Sequence, residues 1–333
     1  MAIERFKTVA YRKDTMEIIR QAQEITADYR ARGYVLTLRQ LYYQFVARDL
    51  LENKQKNYKR LGSIIDDARQ TGHLDWETIE DRTRNLKSPS TWTSPESILR
   101  AVADQYMENP WLKQEVWPEV WIEKDALVGV IEPVCDELRV PFFACRGYAS
   151  QSEMYGAAKR FERLRKQGYR PMVLYLGDHD PSGMHMGVNA GERLELFSRG
   201  DVEVKRIALN RDQIDQYDPP PNPAKETDSR FEAYAAEHGD ESWELDALDP
   251  DVISQLIRDE IGEITDQDKW DECIAAENEN STGLQGVHDH FDRVKLYLKH
   301  RSDFLDLTDF QPELLDQFED LDALLDEIAE RNG

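Results

Sequence analysis

The apolar positions near the N-terminus recur at helical spacing. Ile18, Ile19, Ala22 and Ile25 predict a helix over 14–32. Leu38, Leu41, Tyr42, Phe45 and Val46 predict a second over 37–50, with Thr37 as its N-cap. A third covers roughly 56–71 and stops at Gly72. From residue 117 the pattern changes. PEVWIEK (118–124), PFFACRG (141–147), YRPMVLYLGD (169–178) and VEVKRIAL (202–209) predict strands. Helices are predicted between them at 125–140, bent or started late at Pro133, at 150–168 and at 181–200. Strands alternating with helices of this length imply a parallel sheet with crossover connections. The expected class is therefore α/β: a helical unit at 1–90, a linker and helix at 91–116, a Rossmann-like domain at 117–215, and a helical region at 216–333. Within the last, 217–229 is a polar loop, 243–262 is helical, and 302–333 is a strongly acidic amphipathic helix.

Charge changes the picture of partners. The net charge is −24, which at first argues against a nucleic-acid ligand. Residues 1–90, however, carry 17 Lys/Arg and 13 Asp/Glu, leaving −28 for the rest. Only the N-terminal unit can face a phosphate backbone broadly. Its three helices with interspersed cations suit a helix-turn-helix or winged-helix module. Lys56, Lys59, Arg60 and Arg69 on the third helix, and Arg82 and Arg84 beyond it, are candidate DNA contacts. Each is equally a surface charge or a partner for Asp66, Asp67 or Asp81. No apolar run is long enough to span a membrane, and MAIERFKTVAYRKD lacks the apolar core of a secretory signal. The expected location is cytoplasmic and nucleoid-associated. Cys135, Cys145 and Cys273 have no metal-like spacing and read as reduced thiols.

The chemistry gathers at predicted strand ends. Glu123 follows VWI, and Asp178 and Asp180 follow VLYLG. Functional groups of an open parallel sheet collect at the carboxyl ends of its strands. Strand alternation would aim Asp178 and Asp180 the same way. Three crowded carboxylates would repel unless a divalent cation balanced them, and hard oxygen donors suit Mg²⁺, or Mn²⁺. This is an arrangement for phosphoryl transfer, with Glu123 as general acid or base. After Pro181, Ser182 and Gly183 the chain turns into a helix whose free N–H groups suit a phosphate. His179 reads as structural, and His288 and His290 as solvated surface.

A strand ending in Glu123, a turn at Arg146-Gly147-Tyr148 and a strand ending in Asp178-His179-Asp180-Pro181-Ser182-Gly183 together resemble the Toprim domain over about 90 residues. IEKDAL at 122–127, GDHDPSG at 177–183 and TLRQLYYQ at 37–44 are most similar to the A subunit of type IIB topoisomerases (topoisomerase VI), its meiotic double-strand-break relatives and its compact free-standing forms. Gln40 stands where that family has an acidic residue after the arginine.

The resemblance implies a winged-helix domain ahead of Toprim and Mg²⁺-dependent cleavage of double-stranded DNA through a tyrosyl link to the 5′ phosphate. On the helical wheel Tyr42 falls with Leu38, Phe45 and Val46 in the core, while Tyr43 lies beside Arg39. Tyr43 is therefore the candidate nucleophile, and Arg39 the group that stabilises charge on the phosphorane oxygens. The family acts as a homodimer in which this tyrosine faces the partner's Toprim site. The chain has no glycine-rich ATP-binding pattern, so strand passage would need a separate ATPase subunit of the B type. Two other functions use the same residues: a Toprim nuclease that activates water, and a non-catalytic DNA-binding assembly subunit.

Overall fold

The computed structural model describes residues 3–79, 89–291 and 295. It divides into two compact units, residues 1–86 with 111–266, and residues 87–110 with 267–333. Arg82, Arg84 and the acidic segment 302–333 lie outside the described residues.

The first unit opens with α1 (Lys13–Ala31), α2 (Leu38–Ala47) and α3 (Gln55–Gln70). Thr37 closes a reciprocal capping box with Gln40 at the start of α2, as its position predicted. This explains Gln40 locally: its side chain accepts from the Thr37 N–H at 2.8 Å. The apolar stripes of the three helices face one another. Ile19, Ile25, Tyr29, Leu41, Phe45, Leu61 and Ile65 form their common core. Burying each large apolar side chain contributes roughly 1.5–3 kcal/mol, which favours the association of the stripes.

In the second unit, α4 (Pro95–Gln105) packs against the long α11 (Gln267–Asp289). Ser94 caps α4, and Pro95 occupies its first turn.

Between these segments the first unit builds an α/β sheet. The strands are β1 (Val116–Ile122), β2 (Phe142–Ala144), β3 (Arg170–Leu176) and β4 (Glu203–Ala208). All pair in parallel, in the order β2-β1-β3-β4. The crossover helices are α5 (Val128–Glu137), α6 (Gln151–Lys166) and α7 (Pro181–Ser198). Pro133 lies inside α5 rather than at its start. Then follow α8 (Arg211–Tyr217), the short antiparallel pair β5 (Asn222–Pro223) and β6 (Glu241–Ser242) flanking α9 (Phe231–His238), a 3-10 turn at Leu245–Ala247, and α10 (Pro250–Ile264). Helices α6 and α7 pack together on one face, where Trp121, Val173 and Tyr175 meet Phe161 and Leu194. α5 and α10 pack together and against β2, β1 and β4. The interior strands are almost fully buried, as strands covered on both faces must be.

The connections decide where a site can form. From β1 the chain moves outward to β2, whereas from β3 it moves the other way to β4. The crossovers diverge between β1 and β3, and a crevice opens at their carboxyl ends.

Candidate active site at the carboxyl edge of the sheet

Glu123 is the first residue beyond β1, and its N–H donates to the Leu176 carbonyl at 2.9 Å. Its Oε2 crosses the crevice and accepts from the Asp178 N–H at 2.9 Å. The approach is close because Gly177 and Gly183 have no side chains. A Cβ at Gly177 would stand 2.9 Å from Glu123 Oε2, and one at Gly183 would collide with the Asp178 carbonyl oxygen. Arg206 braces the same turn, donating to the carbonyls of Gly177, Asp178 and Gly183 at 2.8, 2.6 and 3.1 Å.

The two aspartates do not point the same way. β3 ends at Leu176, so strand alternation no longer governs 178 and 180. Asp180 is the N-cap of α7, with Oδ1 accepting from the Gly183 N–H at 2.6 Å. Asp178 turns toward the 3-10 turn, where Oδ1 accepts from the Leu245 N–H at 2.8 Å. Its Oδ2 lies 2.9 Å from Lys124 Nζ.

Lys124 is the hub of a network invisible along the sequence. Its ammonium also sits 2.8 Å from Glu244 Oε2 and 2.9 Å from Asp246 Oδ1. Burial opposes its charge, but Asp246, Asp178 and Glu244 hold its pKa well above the ordinary value. Although burial also works against Glu244, Lys124 and Arg39 pull its carboxyl down to about 2. Asp178 moves upward instead, because it is buried and has carboxylate neighbours, with Lys124 opposing. Of the three carboxylates at the strand ends, Asp178 thus has a lysine as its counter-charge. Asp246 Oδ2 is buried without a hydrogen-bond partner, 3.4 Å from Arg39 Nε.

Glu123 and Asp180 form no ion pair among the described residues, although the Lys124 charge still acts on Glu123. Burial raises the Glu123 pKa, and the Asp180 charge adds to the rise. Among the described residues, Glu123 Oε1 and Asp180 Oδ2 carry no hydrogen bond, and no group of three or more His, Cys, Asp or Glu side chains has the arrangement of a metal site. Two carboxylates with free oxygens fit Mg²⁺, which binds through one or two of them and keeps its remaining ligands as water. Asp178 differs from that pair in that each of its oxygens already has a partner, the Leu245 N–H and the Lys124 ammonium.

The Arg39–Tyr43 helix reaches this edge within the same chain. The Arg39 guanidinium donates to Glu244 at 2.6 Å, so α2 is tied through Glu244 and Lys124 to Asp178. Beside it lies a cavity of ≈ 270 Å³ lined by Arg39, Tyr42, Tyr43, Tyr58, Asn222 and Glu244, among others. Tyr43 does not stand on an exposed face: it is 3% exposed and forms part of the cavity wall. Its hydroxyl accepts from Asn222 Nδ2 at 3.4 Å. Burial, with Glu244 and Asp246 nearby, raises its pKa above the ordinary phenol value, and Arg39 opposes this only in part.

The basic residues of α3 divide. Lys56 and Lys59 are exposed and form no ion pair among the described residues. Arg60 pairs with Asp14 at 3.3 Å. Arg69 is spent on structure: it donates to the carbonyls of Trp76 and Ile79 and lies over the Trp76 ring. His179 is buried, exchanging backbone hydrogen bonds with Trp243 and pairing Nδ1 with the Tyr234 hydroxyl at 2.8 Å. All three cysteines are free and buried. No helix among the described residues is long and apolar enough to cross a membrane.

Reasoning from the sequence missed Lys124, Arg206, Asn222, Glu244 and Asp246. Lys124 alone carried a signal, as the residue directly after Glu123. Comparison with known protein families and with curated proteins finds no match to this chain.

Proposed function

We propose that this chain is a Toprim-type, Mg²⁺-dependent transesterase that cleaves DNA, similar to a compact A subunit of topoisomerase VI. One observation carries the reading. The helix bearing Arg39 and Tyr43 is joined to the sheet edge bearing Glu123, Asp178 and Asp180 by a continuous ionic chain through Glu244 and Lys124. A packing helix has no need to bring its only cation to that edge.

In this reading the Tyr43 phenol gives up its proton to solvent in the cavity as its oxygen attacks the phosphorus, and the P–O3′ bond breaks. The products are a 5′-phosphotyrosine link and a free 3′ hydroxyl. Energy stays in the new ester, so the strand can be resealed. Arg39, already beside the phenol, stabilises the charge on the phosphorane oxygens. Glu123, whose carboxyl is held above its ordinary range by burial, is the group placed to give the departing oxygen a proton. Glu123 and Asp180 would hold Mg²⁺, which supplies charge stabilisation and positions phosphate oxygens. Lys56 and Lys59 supply the backbone contacts. A homodimer, a separate ATPase subunit and a nucleoid location belong to the same proposal.

A second reading has its own support. The Tyr43 phenol is buried among carboxylates that resist its ionisation. A nuclease that activates water at the Glu123–Asp180 edge would not need it.

The test uses end-labelled supercoiled DNA with Mg²⁺ or Mn²⁺, stopped with detergent. Protein-linked ends that vanish in Tyr43→Phe are the expected result. Free ends unchanged by Tyr43→Phe but lost in Asp180→Ala would overturn it in favour of the nuclease. Absence of cleavage with either metal would leave a binding subunit.

A further inference from the structure

The cavity beside α2 has features that cleavage chemistry alone does not require. Its volume, ≈ 270 Å³, leaves room for more than a bare phosphate. Three tyrosines line it: the Tyr42 ring packs against Tyr43 at 5.7 Å and edge-on to Tyr58 at 5.4 Å. Tyr42 and Tyr43 are buried, while Tyr58 is half-buried on the wall. Asn53, Gln55 and Asn222 add amides. Asn53 and Asn222 are fixed, with Asn53 Nδ2 donating to Asn222 Oδ1 at 2.8 Å. Gln55 is exposed and has no hydrogen bond among the described side chains. The one cation, Arg39, is balanced by Glu244 within hydrogen-bonding distance. A wall with aromatic rings, amides and near-zero net charge suits a neutral planar ligand with donors and acceptors on its edge. A nucleobase is such a ligand.

The rim supplies the rest of a nucleotide. Gln55 is also the first residue of α3, a 16-residue helix whose N-cap residue, Lys54, makes no side-chain capping bond. The first N–H groups of this helix and the exposed Lys56 thus adjoin Gln55 of the cavity wall, while Lys54 pairs with Glu52 at 2.6 Å.

We infer that this cavity receives one nucleotide turned out of the base stack, the nucleotide adjoining the phosphodiester presented to Tyr43. The inference deepens the proposed cleavage reading and rests on it for the position of the scissile bond. It makes the preferred substrate a single strand, or a duplex distorted enough to release a base, rather than intact duplex. Unpaired or mismatched bases cost least to extrude, so they would be selected.

The test is binding by the full chain in EDTA, so that cleavage cannot intervene. The ligands are a single-stranded oligonucleotide and its intact duplex, each with one 2-aminopurine. The single strand should bind more tightly, with 2-aminopurine fluorescence quenched by tyrosine stacking. Tyr58→Ala should weaken single-strand binding by roughly tenfold and leave the duplex unchanged. Tyr58→Phe keeps the ring and should restore affinity, which separates stacking from a folding defect. Gln55→Ala, at an exposed position, should weaken single-strand binding without altering thermal stability. Equal affinity for both DNAs, unmoved by Tyr58→Ala and Gln55→Ala, would overturn the inference even if tyrosyl adducts form. Selective single-strand binding without adducts would leave the pocket standing and remove the transesterase.

Discussion

Two groups of carboxylates share the carboxyl edge of one sheet, and they are satisfied in opposite ways. Asp178, Glu244 and Asp246 surround Lys124 at 2.8–2.9 Å, so each has a cation of the protein as its partner. Glu123 and Asp180 each spend one oxygen on a backbone N–H and keep the other free of hydrogen bonds among the described residues. The residue types are the same, and Asp178 and Asp180 are only two positions apart. What differs is the neighbour each oxygen meets. An acidic motif is thus not one unit: part of it anchors the turn at 245–247 and α2, and part keeps oxygens free of hydrogen bonds among the described residues.

The comparison breaks most readily at Lys124. Lys124→Met leaves the buried Asp178 and Asp246 without their shared ammonium, while the half-buried Glu244 keeps Arg39, and should cost about 3–5 kcal/mol in urea unfolding. A loss below about 1 kcal/mol would show that the closed group does not depend on the lysine.

Next come the paired aspartates. Asp180→Asn keeps a capping side chain, so stability should fall by only a few tenths of a kcal/mol. Mg²⁺ affinity by titration calorimetry should fall by roughly tenfold or more. Asp178→Asn should do the reverse, costing about 1–3 kcal/mol and weakening Mg²⁺ binding less. Equal effects on Mg²⁺ would merge the two groups.

Acid titration separates them by sign. The folded-state pKa of Glu123 is raised, so its ionisation works against folding, and that cost is relieved as pH falls from the raised pKa toward the ordinary 4.5. Glu244 is depressed to about 2, so its contribution is complete above pH 4.5 and lost as pH falls through about 2. Glu123→Gln should therefore remove a rise in melting temperature on mild acidification. Glu244→Gln should remove a fall below pH 4.5. Identical pH profiles for the two variants would refute the division.

The smallest effects belong to the exposed cations. Lys56→Ala and Lys59→Ala should each reduce the salt dependence of DNA binding by about one unit of slope. Arg69→Ala should instead lower stability, because its guanidinium holds the carbonyls of Trp76 and Ile79.

Much of this was legible along the chain. Apolar runs alternating with helical periods located the four strands of the parallel sheet, most plainly β1 and β3, which are buried on both faces and so continuously apolar. The Thr37 cap, the three N-terminal helices and the placement of Glu123 at the β1–β3 crevice were legible for equally local reasons. The burial of Tyr43 was not. A helical wheel tells one side of a helix from another, but not which of several elements will cover it.

The sequence by itself determined the periodicities, and with them the helices, the strands and the carboxylates at strand ends. It also determined the glycines that let Glu123 approach the Asp178 turn. Tertiary structure alone decided which carboxylates are closed and which open. That choice rests on Lys124 meeting Glu244 and Asp246 from 120 and 122 residues away, and on Arg39 meeting Glu244 across 205. Such pairings leave no local periodic signature, because charge acts through space at a few ångströms while sequence patterns record only the next turn or pleat.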